Sequence, residues 1–364
     1  MPATNILYGS AISYFTGKAR AYFDWKQVPY EEHQSTREVF ETVILPRVGW
    51  PVIPVVVTAK DETLQDTSDI IDHFEALDPE PSVYPATPAR RLAALLLECY
   101  GDEWLKIPAM HYRWNYNEEW ILLQFGKLSA PGEPEAKQRE IGEKRAGPFR
   151  GSLPFLGVTP ETRSAIEASY EGLLADLDAH FAAHDYCLGT RPSIGDFGLI
   201  GPLYAHNYRD PKSGEMMRSM APHVARWVER MVTPPAPRGG AFPPGDAVPE
   251  TLLPVLARMM REYLPVLEKT AAAFAAWAQD KAAGAEIPRA LGTHDFTLEG
   301  VTGQRAIFTF DLWMLQRPLD HLRALTGTDR EAGLGLLAAT GGTALADFPE
   351  FPRIRRENFR LVLA

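Results

Sequence analysis

Ser13 stands in the stretch SYFTGKAR, directly after the apolar run TNILYG, and Lys18 and Arg20 follow it as a helical pattern begins. A hydroxyl at the mouth of a helix has two uses. It accepts a backbone N–H as a cap, and it can donate its proton to an anion drawn by the free N–H groups and dipole of the helix. Tyr14 and Thr16 put two more hydroxyls into the same turn. A second helix start follows at QDTSDII, where Asp66, Thr67 and Ser68 cluster, and Pro54 stands at the entrance of a strand after Val52 and Ile53. Read singly, the serine is an N-cap, DTSD is a cap cluster and Pro54 is a strand-entry proline.

Positioning these residues requires strands that end where helices begin. Residues 4–9 read as a buried strand, and 16–26 carry a helical pattern with Ala19, Tyr22 and Phe23 on one side. QVPYEEH alternates as a second strand, and REVFETVILP is a short helix before Pro46. PVIPVVVTA is a β-branched strand that ETLQDT closes into a hairpin. SDIIDHFEALDP is a helix with Ile70, Ile71 and Phe74 apolar, stopped before Pro79. The order β-α-β-α-β-β-α predicts one α/β domain with a mixed sheet over residues 1–80.

The proline-rich DPEPSVYPATPA reads as a linker. Residues 88–232 are helical almost throughout and predict an all-α domain, interrupted by a loop at AGPFRGSLPFLGVTP. A second Pro/Gly-rich boundary covers 233–250. Beyond it lies a mixed, mainly helical extension, 250–364. Leu252, Leu253, Leu256, Met259, Met260 and Leu264 form a broad apolar stripe there, divided at Pro265. HDFTLEGVTGQRAIFTF predicts two strands around a turn, and DLWMLQRPLDHLRAL returns to helix. The stripe is expected to pack on the helical domain of the same chain or of a dimer partner.

The formal net charge is −10, which argues against nucleic acid or an anionic membrane as the main partner. Cys99 and Cys187 are the only cysteines and no CxxC occurs, so neither a zinc ribbon nor a dithiol redox motif is supported. No apolar run approaches the ~18 residues of a membrane span. The N-terminus lacks a basic segment followed by an apolar one, and a cytoplasmic location is expected. His180 and His184, four apart, have no third ligand in view and read as ordinary helix histidines, so no metal is expected.

Ser13 with Arg20 seven residues on, Pro29-Tyr30-Glu31, Ile53-Pro54 and Asp66-Thr67 before Asp69-Ile70 follow one another in a telling order. Over residues 4–80 this resembles the thioredoxin-like domain of the glutathione transferase superfamily. The resemblance implies glutathione as cosubstrate, with Ser13 hydrogen-bonding the sulfur and a cis Pro54 exposing the backbone of Ile53 to the cysteinyl part. It also implies Asp66 at the ammonium of the γ-glutamyl group and Thr67 at its carboxylate. The physical reading agrees. The thiolate is the nucleophile, and a hydroxyl that donates to it favours the charged form. Tyr14 and Thr16 leave the assignment of the activating hydroxyl open, and Tyr14 is counted with the glutathione-binding residues. Trp50 and Pro51 stand where the family often has polar residues near the glycyl carboxylate, for which Arg47 or Lys18 would supply charge.

YCLGTRPSIGDFGLIGPL resembles the signature of the family's second domain, with Ser193 and Asp196 as a capping box of structural role. MHYRWNYNEEW is dense in aromatics, and in the family the helix near this position lines the pocket for the electrophile. His111, Tyr112, Trp114 and Tyr116 are therefore pocket candidates for an apolar substrate, against the plain reading of a core stripe. The resemblance stops before the extension. It implies a homodimeric transferase that adds the glutathione thiolate to an apolar electrophile or cleaves an ether or halide with it. The alternative is a non-catalytic binding or scaffold protein that keeps the fold.

Overall fold

The computed structural model describes residues 4–234 and 237–364. The described residues form two compact units. The first takes in residues up to Val83, Ala109–Ser152 and Ile200–Gly239, and the second Tyr84–Pro108, Leu153–Leu199 and Gly240–Ala364. The helical stretch 88–232 thus contributes to both.

The first unit is built on a four-stranded mixed sheet. Its strands are β1 (Asn5–Gly9), β2 (Tyr30–Gln34), β3 (Val55–Val57) and β4 (Thr63–Gln65), in the order β2-β1-β3-β4. β1 runs parallel to β2 and antiparallel to β3, and β3 and β4 form a hairpin. Val55 and Val56 are fully buried, each contributing roughly 1.5–3 kcal/mol. Helix α1 (Tyr14–Lys26) follows β1, and α2 (Thr67–Leu77) follows β4. Between β2 and β3, residues 37–48 wind as one helical segment with a wide turn at Phe40–Ile44.

Ala19, Tyr22, Phe23 and Trp25 of α1 are buried, as are Ile70, Ile71 and Phe74 of α2. A satisfied ionic cluster locks the two helices together. Lys26 pairs with Glu75 at 2.8 Å, and the Tyr22 hydroxyl donates to the same carboxylate at 2.9 Å. The Ser82 hydroxyl and the Val83 N–H donate to its other oxygen. A buried carboxylate with this many donors is compensated, and it fixes the angle between the two helices whose N-termini carry Ser13 and Asp66.

In the second unit the helix Pro88–Cys99 packs against Phe310–Ala324 and Gly327–Ala339, and Leu253–Glu262 against Arg163–Phe181. The apolar stripe of the extension is covered there: Leu252, Leu256 and Met259 are at most 2 % exposed. Pro265 divides the stripe as its lack of an N–H demands, with one helix ending at Glu262 and the next starting at Leu264. The expected strand pair is a hairpin, β5 (Ala290–Leu298) and β6 (Val301–Phe308).

Two expectations need correcting, and one hairpin lies outside them. The helix expected to stop before Pro46 runs through it to Val48, with the wide turn at Phe40–Ile44 directly upstream of the proline. The helix Glu135–Arg150 runs through Pro148, so the loop begins only after it; proline in the last turn leaves most of the upstream ladder intact. The terminal hairpin, β7 (Ile354–Glu357) with β8 (Arg360–Leu363), was not legible. Its two-residue turn puts Asn358 and Phe359 at φ 48° and 62°, where the sequence signal for such a turn is Asn-Gly.

Candidate active site

The strand register gathers the candidate residues. Tyr8 of β1 pairs with Val55, and Val55 pairs with Gln65. The end of β1, the start of β3 and the end of β4 therefore lie at one end of the sheet. From that end emerge Ser13 after Gly9, Pro54 before Val55, and Asp66 after Gln65. The Ile53–Pro54 peptide is cis.

Ser13 is half-buried and caps α1. Its Oγ accepts the Thr16 N–H at 3.3 Å, and its carbonyl accepts the Gly17 N–H at 3.0 Å. Capping uses a lone pair of Oγ and leaves the hydroxyl proton to be donated, so the structural and chemical roles are compatible in one residue. The neighbouring hydroxyls are placed differently. Thr16 is fully buried, its Oγ1 accepts the Ser10 N–H at 3.3 Å, and its side chain fills the space beside Gly9 that a Cβ would need. Tyr14 is 7 % exposed, and its ring meets Phe15 and, edge-on at 5.5 Å, His206.

Asp66 caps α2 by accepting the Ser68 N–H at 3.0 Å. Its backbone has φ 78°, a conformation uncommon for any residue but glycine and of a kind that concentrates at functional sites. Thr67 and Ser68 are buried beneath it. Lys18 is also fully buried, with Nζ 3.5 Å from the Ser68 hydroxyl, and Arg47 is engaged by Asp61 and Thr63. Arg20 grips Glu32 of β2 through Nε and Nη2 at 2.6 and 2.7 Å.

Three residues that local patterning did not single out hold the turn that carries Ser13. Arg113 donates through Nη1 to the Ile12 carbonyl at 2.9 Å and through Nε and Nη2 to both oxygens of Asp210. Arg209 donates to the Ala11 carbonyl. Arg113 and Asp210 are 4 % and 0 % exposed. Burial pushes the Asp210 carboxyl up while Arg113 pulls it down. His206 is held well below the usual imidazole range by burial and then by Arg113 and Arg209, so it is neutral. The available signals were Asp210 before Pro211, which reads as a helix start, and Arg113 within an aromatic run.

The four aromatic-stretch candidates do not form one wall. His111, Tyr112 and Tyr116 cluster, with Tyr112 and Tyr116 stacked at 5.5 Å. Trp114 faces elsewhere, stacked at 6.2 Å on Phe125, which in turn stacks on Phe149. His111, Tyr112 and Trp114 are buried, and Tyr116 is 49 % exposed.

In the second unit the Asp196 half of the Ser193–Asp196 capping box is in place. One Asp196 oxygen accepts the Ser193 N–H and hydroxyl, both at 2.8 Å, and the other accepts the Cys187 N–H at 2.9 Å. His180 meets Thr251 and the Tyr186 carbonyl, and burial followed by repulsion from His184 lowers its pKa to about 4. Among the described residues no group of three or more His, Cys, Asp or Glu is arranged to hold a metal ion. Cys99 and Cys187 are free and buried, and burial raises both thiols.

Residues 7–82 match the family of glutathione S-transferase N-terminal domains, and residues 160–230 that of glutathione S-transferase C-terminal domains. Among solved structures the chain is similar to a glutathione S-transferase from Rhodospirillum rubrum F11, at 18% identity over 64% of this chain and 90% of that one, with a TM-score of 0.42. It is similar to the beta-etherase LigF from Sphingobium sp. strain SYK-6, at 17% identity over 64% and 96%, with a TM-score of 0.48. It is also similar to a glutathione S-transferase from Methylobacterium radiotolerans in complex with glutathione sulfonate, at 19% identity over 68% and 100%, with a TM-score of 0.40. No curated protein matches the sequence. With the two family domains matched in order, on a mixed-sheet domain followed by helices, residues 7–82 and 160–230 are glutathione S-transferase domains.

Proposed function

We propose that the protein is a glutathione transferase that binds glutathione at the sheet end and activates its thiol through Ser13 for attack on an apolar electrophile. The observation that carries this reading is the convergence of Ser13, the cis Ile53–Pro54 peptide and the Asp66–Thr67 helix start at one end of the sheet. The hydroxyl proton of Ser13 and the N-terminal dipole of α1 favour the thiolate. The thiol proton leaves to solvent, and the thiolate forms the new carbon–sulfur bond as the electrophile's halide or ether oxygen departs with the electron pair of the broken bond, or, in an addition, as the displaced π pair takes up a proton from solvent. Ser13 does not become covalently linked. Thr16 is turned inward and the Tyr14 ring is packed, which favours Ser13 among the three hydroxyls. Ile53 contributes its backbone to the cysteinyl part, and Asp66 and Thr67 hold the γ-glutamyl end. As in the family, the enzyme acts as a cytoplasmic homodimer.

One observation favours the alternative of a binding protein without turnover: three of the four aromatic candidates for the electrophile wall are buried in packing. Calorimetric titration with glutathione, followed by a conjugation assay with an activated aryl halide, separates the two. Binding with conjugation supports the enzyme, binding alone supports the second reading, and absence of binding overturns both.

A further inference from the structure

The second unit encloses a group of polar side chains that lies outside both matched family domains and plays no part in the sheet-end site. Arg305 on β6 is 1 % exposed. It pairs with the fully buried Asp311 through Nη1 at 3.3 Å, and its Cζ lies 5.4 Å from the Trp104 ring centre and 5.3 Å from that of Phe308. Among the described residues, neither its Nε nor its Nη2 meets an acceptor. Those two nitrogens form the edge by which a guanidinium grips a carboxylate with two parallel bonds. In this same chain that edge of Arg20 holds Glu32, and that of Arg113 holds Asp210.

Further donors surround the guanidinium. Tyr263 is fully buried and stacked on Trp104 at 5.0 Å, its hydroxyl has no partner among the described residues, and it lies within the electrostatic reach of Arg305 and Asp311. His294 is the cross-strand partner of Arg305, and both its ring nitrogens are likewise buried without a partner. Burial without hydrogen bonds is costly for any polar group and most of all for a charged one. Among the described residues the unmet groups are the two Arg305 nitrogens, the Tyr263 hydroxyl and one His294 N–H as donors, with the other His294 nitrogen and Asp311 Oδ1 as acceptors. They come from two strands and the junction of two helices around one cationic edge. Glu103 is paired with Lys106, and burial pushes its carboxyl up, which weakens its opposition to an incoming anion.

The same face of the hairpin reaches an opening. His294 and Phe296 are two residues apart on β5 and so share a face. Phe296 lines a cavity of about 320 Å³ whose walls include Pro265, Val266 and Gly300; Arg261 in its wall is paired with Glu262 and Glu299, which also line it, and Lys269 adds a further positive charge. We propose that Arg305 anchors a second ligand site, for a small organic carboxylate held by Nε and Nη2, with its apolar body along the Phe296 face. The two-pronged edge fits a planar carboxylate, the flanking Trp104 and Phe308 rings fit an aromatic or flat aliphatic body, and Asp311 fixes the guanidinium from its other side.

The test is calorimetric titration of the full-length protein with benzoate at fixed ionic strength, with benzyl alcohol and inorganic phosphate in parallel. Saturable benzoate binding is expected, with benzyl alcohol and phosphate at least tenfold weaker. Arg305→Gln should lower benzoate affinity at least tenfold and leave glutathione binding unchanged, and Ser13→Ala should leave benzoate binding unchanged. Tyr263→Phe removes one hydroxyl, keeps the stacked ring, and is expected to weaken benzoate several-fold; it decides the matter should Arg305→Gln fail to fold. The proposal is overturned by absence of saturable benzoate binding, or by equal binding to the wild type and a folded Arg305→Gln. Benzyl alcohol binding as tightly as benzoate, phosphate binding in its place, or a crystal structure grown with benzoate that shows only ordered water at Nε and Nη2 would overturn it equally. Because none of the overturning outcomes depends on Ser13 or thiol chemistry, failure here leaves the transferase reading standing, and the converse holds.

Discussion

Arg113 and Asp210, 97 residues apart in sequence, form a two-pronged buried ion pair at 2.7 and 2.8 Å, and the remaining nitrogen of Arg113 reaches the carbonyl of the residue before Ser13. The pair ties the turn carrying the candidate catalytic hydroxyl to the start of a distant helix. Removing one member of a buried pair strands the other and costs about 3–5 kcal/mol. Arg113→Ala is accordingly expected to lower the chemical denaturation midpoint sharply. Arg113→Lys keeps the charge but not the fork, so it should retain more stability and still lower kcat by loosening the Ser13 turn. A lysine variant with full kcat would show that the pair only stabilises the fold.

Ser13→Ala should lower conjugation by about 10²-fold, since a hydrogen bond to a charged group is worth about 1.5–3 kcal/mol. Loss of the cap adds a stability cost of about 1 kcal/mol, read separately as a modest fall in Tm. Tyr14→Phe should change kcat little, because the Tyr14 ring is packed against His206. The reverse outcome, an active Ser13→Ala and an inactive Tyr14→Phe, would transfer the role to Tyr14.

Asp66→Asn keeps both the cap and a side chain that tolerates positive φ while removing the charge. KM for glutathione should rise with kcat nearly unchanged, because the contact is to a part of the ligand that does not react. Asp66→Ala should show the same KM effect together with reduced stability, since it loses the cap at φ 78° as well. A fall in kcat at constant KM in Asp66→Asn would contradict this role.

Glu103 makes stability depend on pH. Burial, with Asp311 and Asp102 nearby, outweighs the attraction of Lys106 and raises its folded value to about 8. The unfolded value is lower, so the native state holds a proton that the unfolded chain releases. This contribution is complete below the unfolded value, about 4.3, and is lost as pH climbs to about 8. Between those limits stability should fall by up to about 1.4 kcal/mol per pH unit. Glu103→Gln should flatten that slope, as measured by denaturant midpoints from pH 5 to 9; an unchanged slope would show that Glu103 is ionised in the fold.

A chain ending at residue 240 should aggregate. Leu92 and Leu96 of the helix Pro88–Cys99 are buried, and that helix packs against Phe310–Ala324 and Gly327–Ala339, so the cut exposes a continuous apolar face. A monodisperse truncation with an unchanged unfolding midpoint would mark the extension as a separate module.

Read without the fold, the sequence already determined the β-α-β-α-β-β-α order of the first domain, the two helix starts at Ser13 and Asp66, the capping of Ser193 by Asp196, and the division at Pro265. These rest on short-range physics. Side-chain period, a hydroxyl or carboxylate before a helix and the missing N–H of proline act within a few residues, so a local pattern encodes them. Tertiary structure alone decided which hydroxyls of the turn face inward, how the aromatic stretch divides between Tyr112 and Trp114, and which distant partners the arginines take. Arg20, Arg113 and Arg305 look alike in sequence, yet one spans two elements of the sheet domain, one clamps the Ser13 turn, and one is buried with two nitrogens that meet no acceptor among the described residues. A guanidinium is satisfied by whatever acceptors the folded chain brings within about 3 Å, and for these residues those acceptors come from far along the sequence.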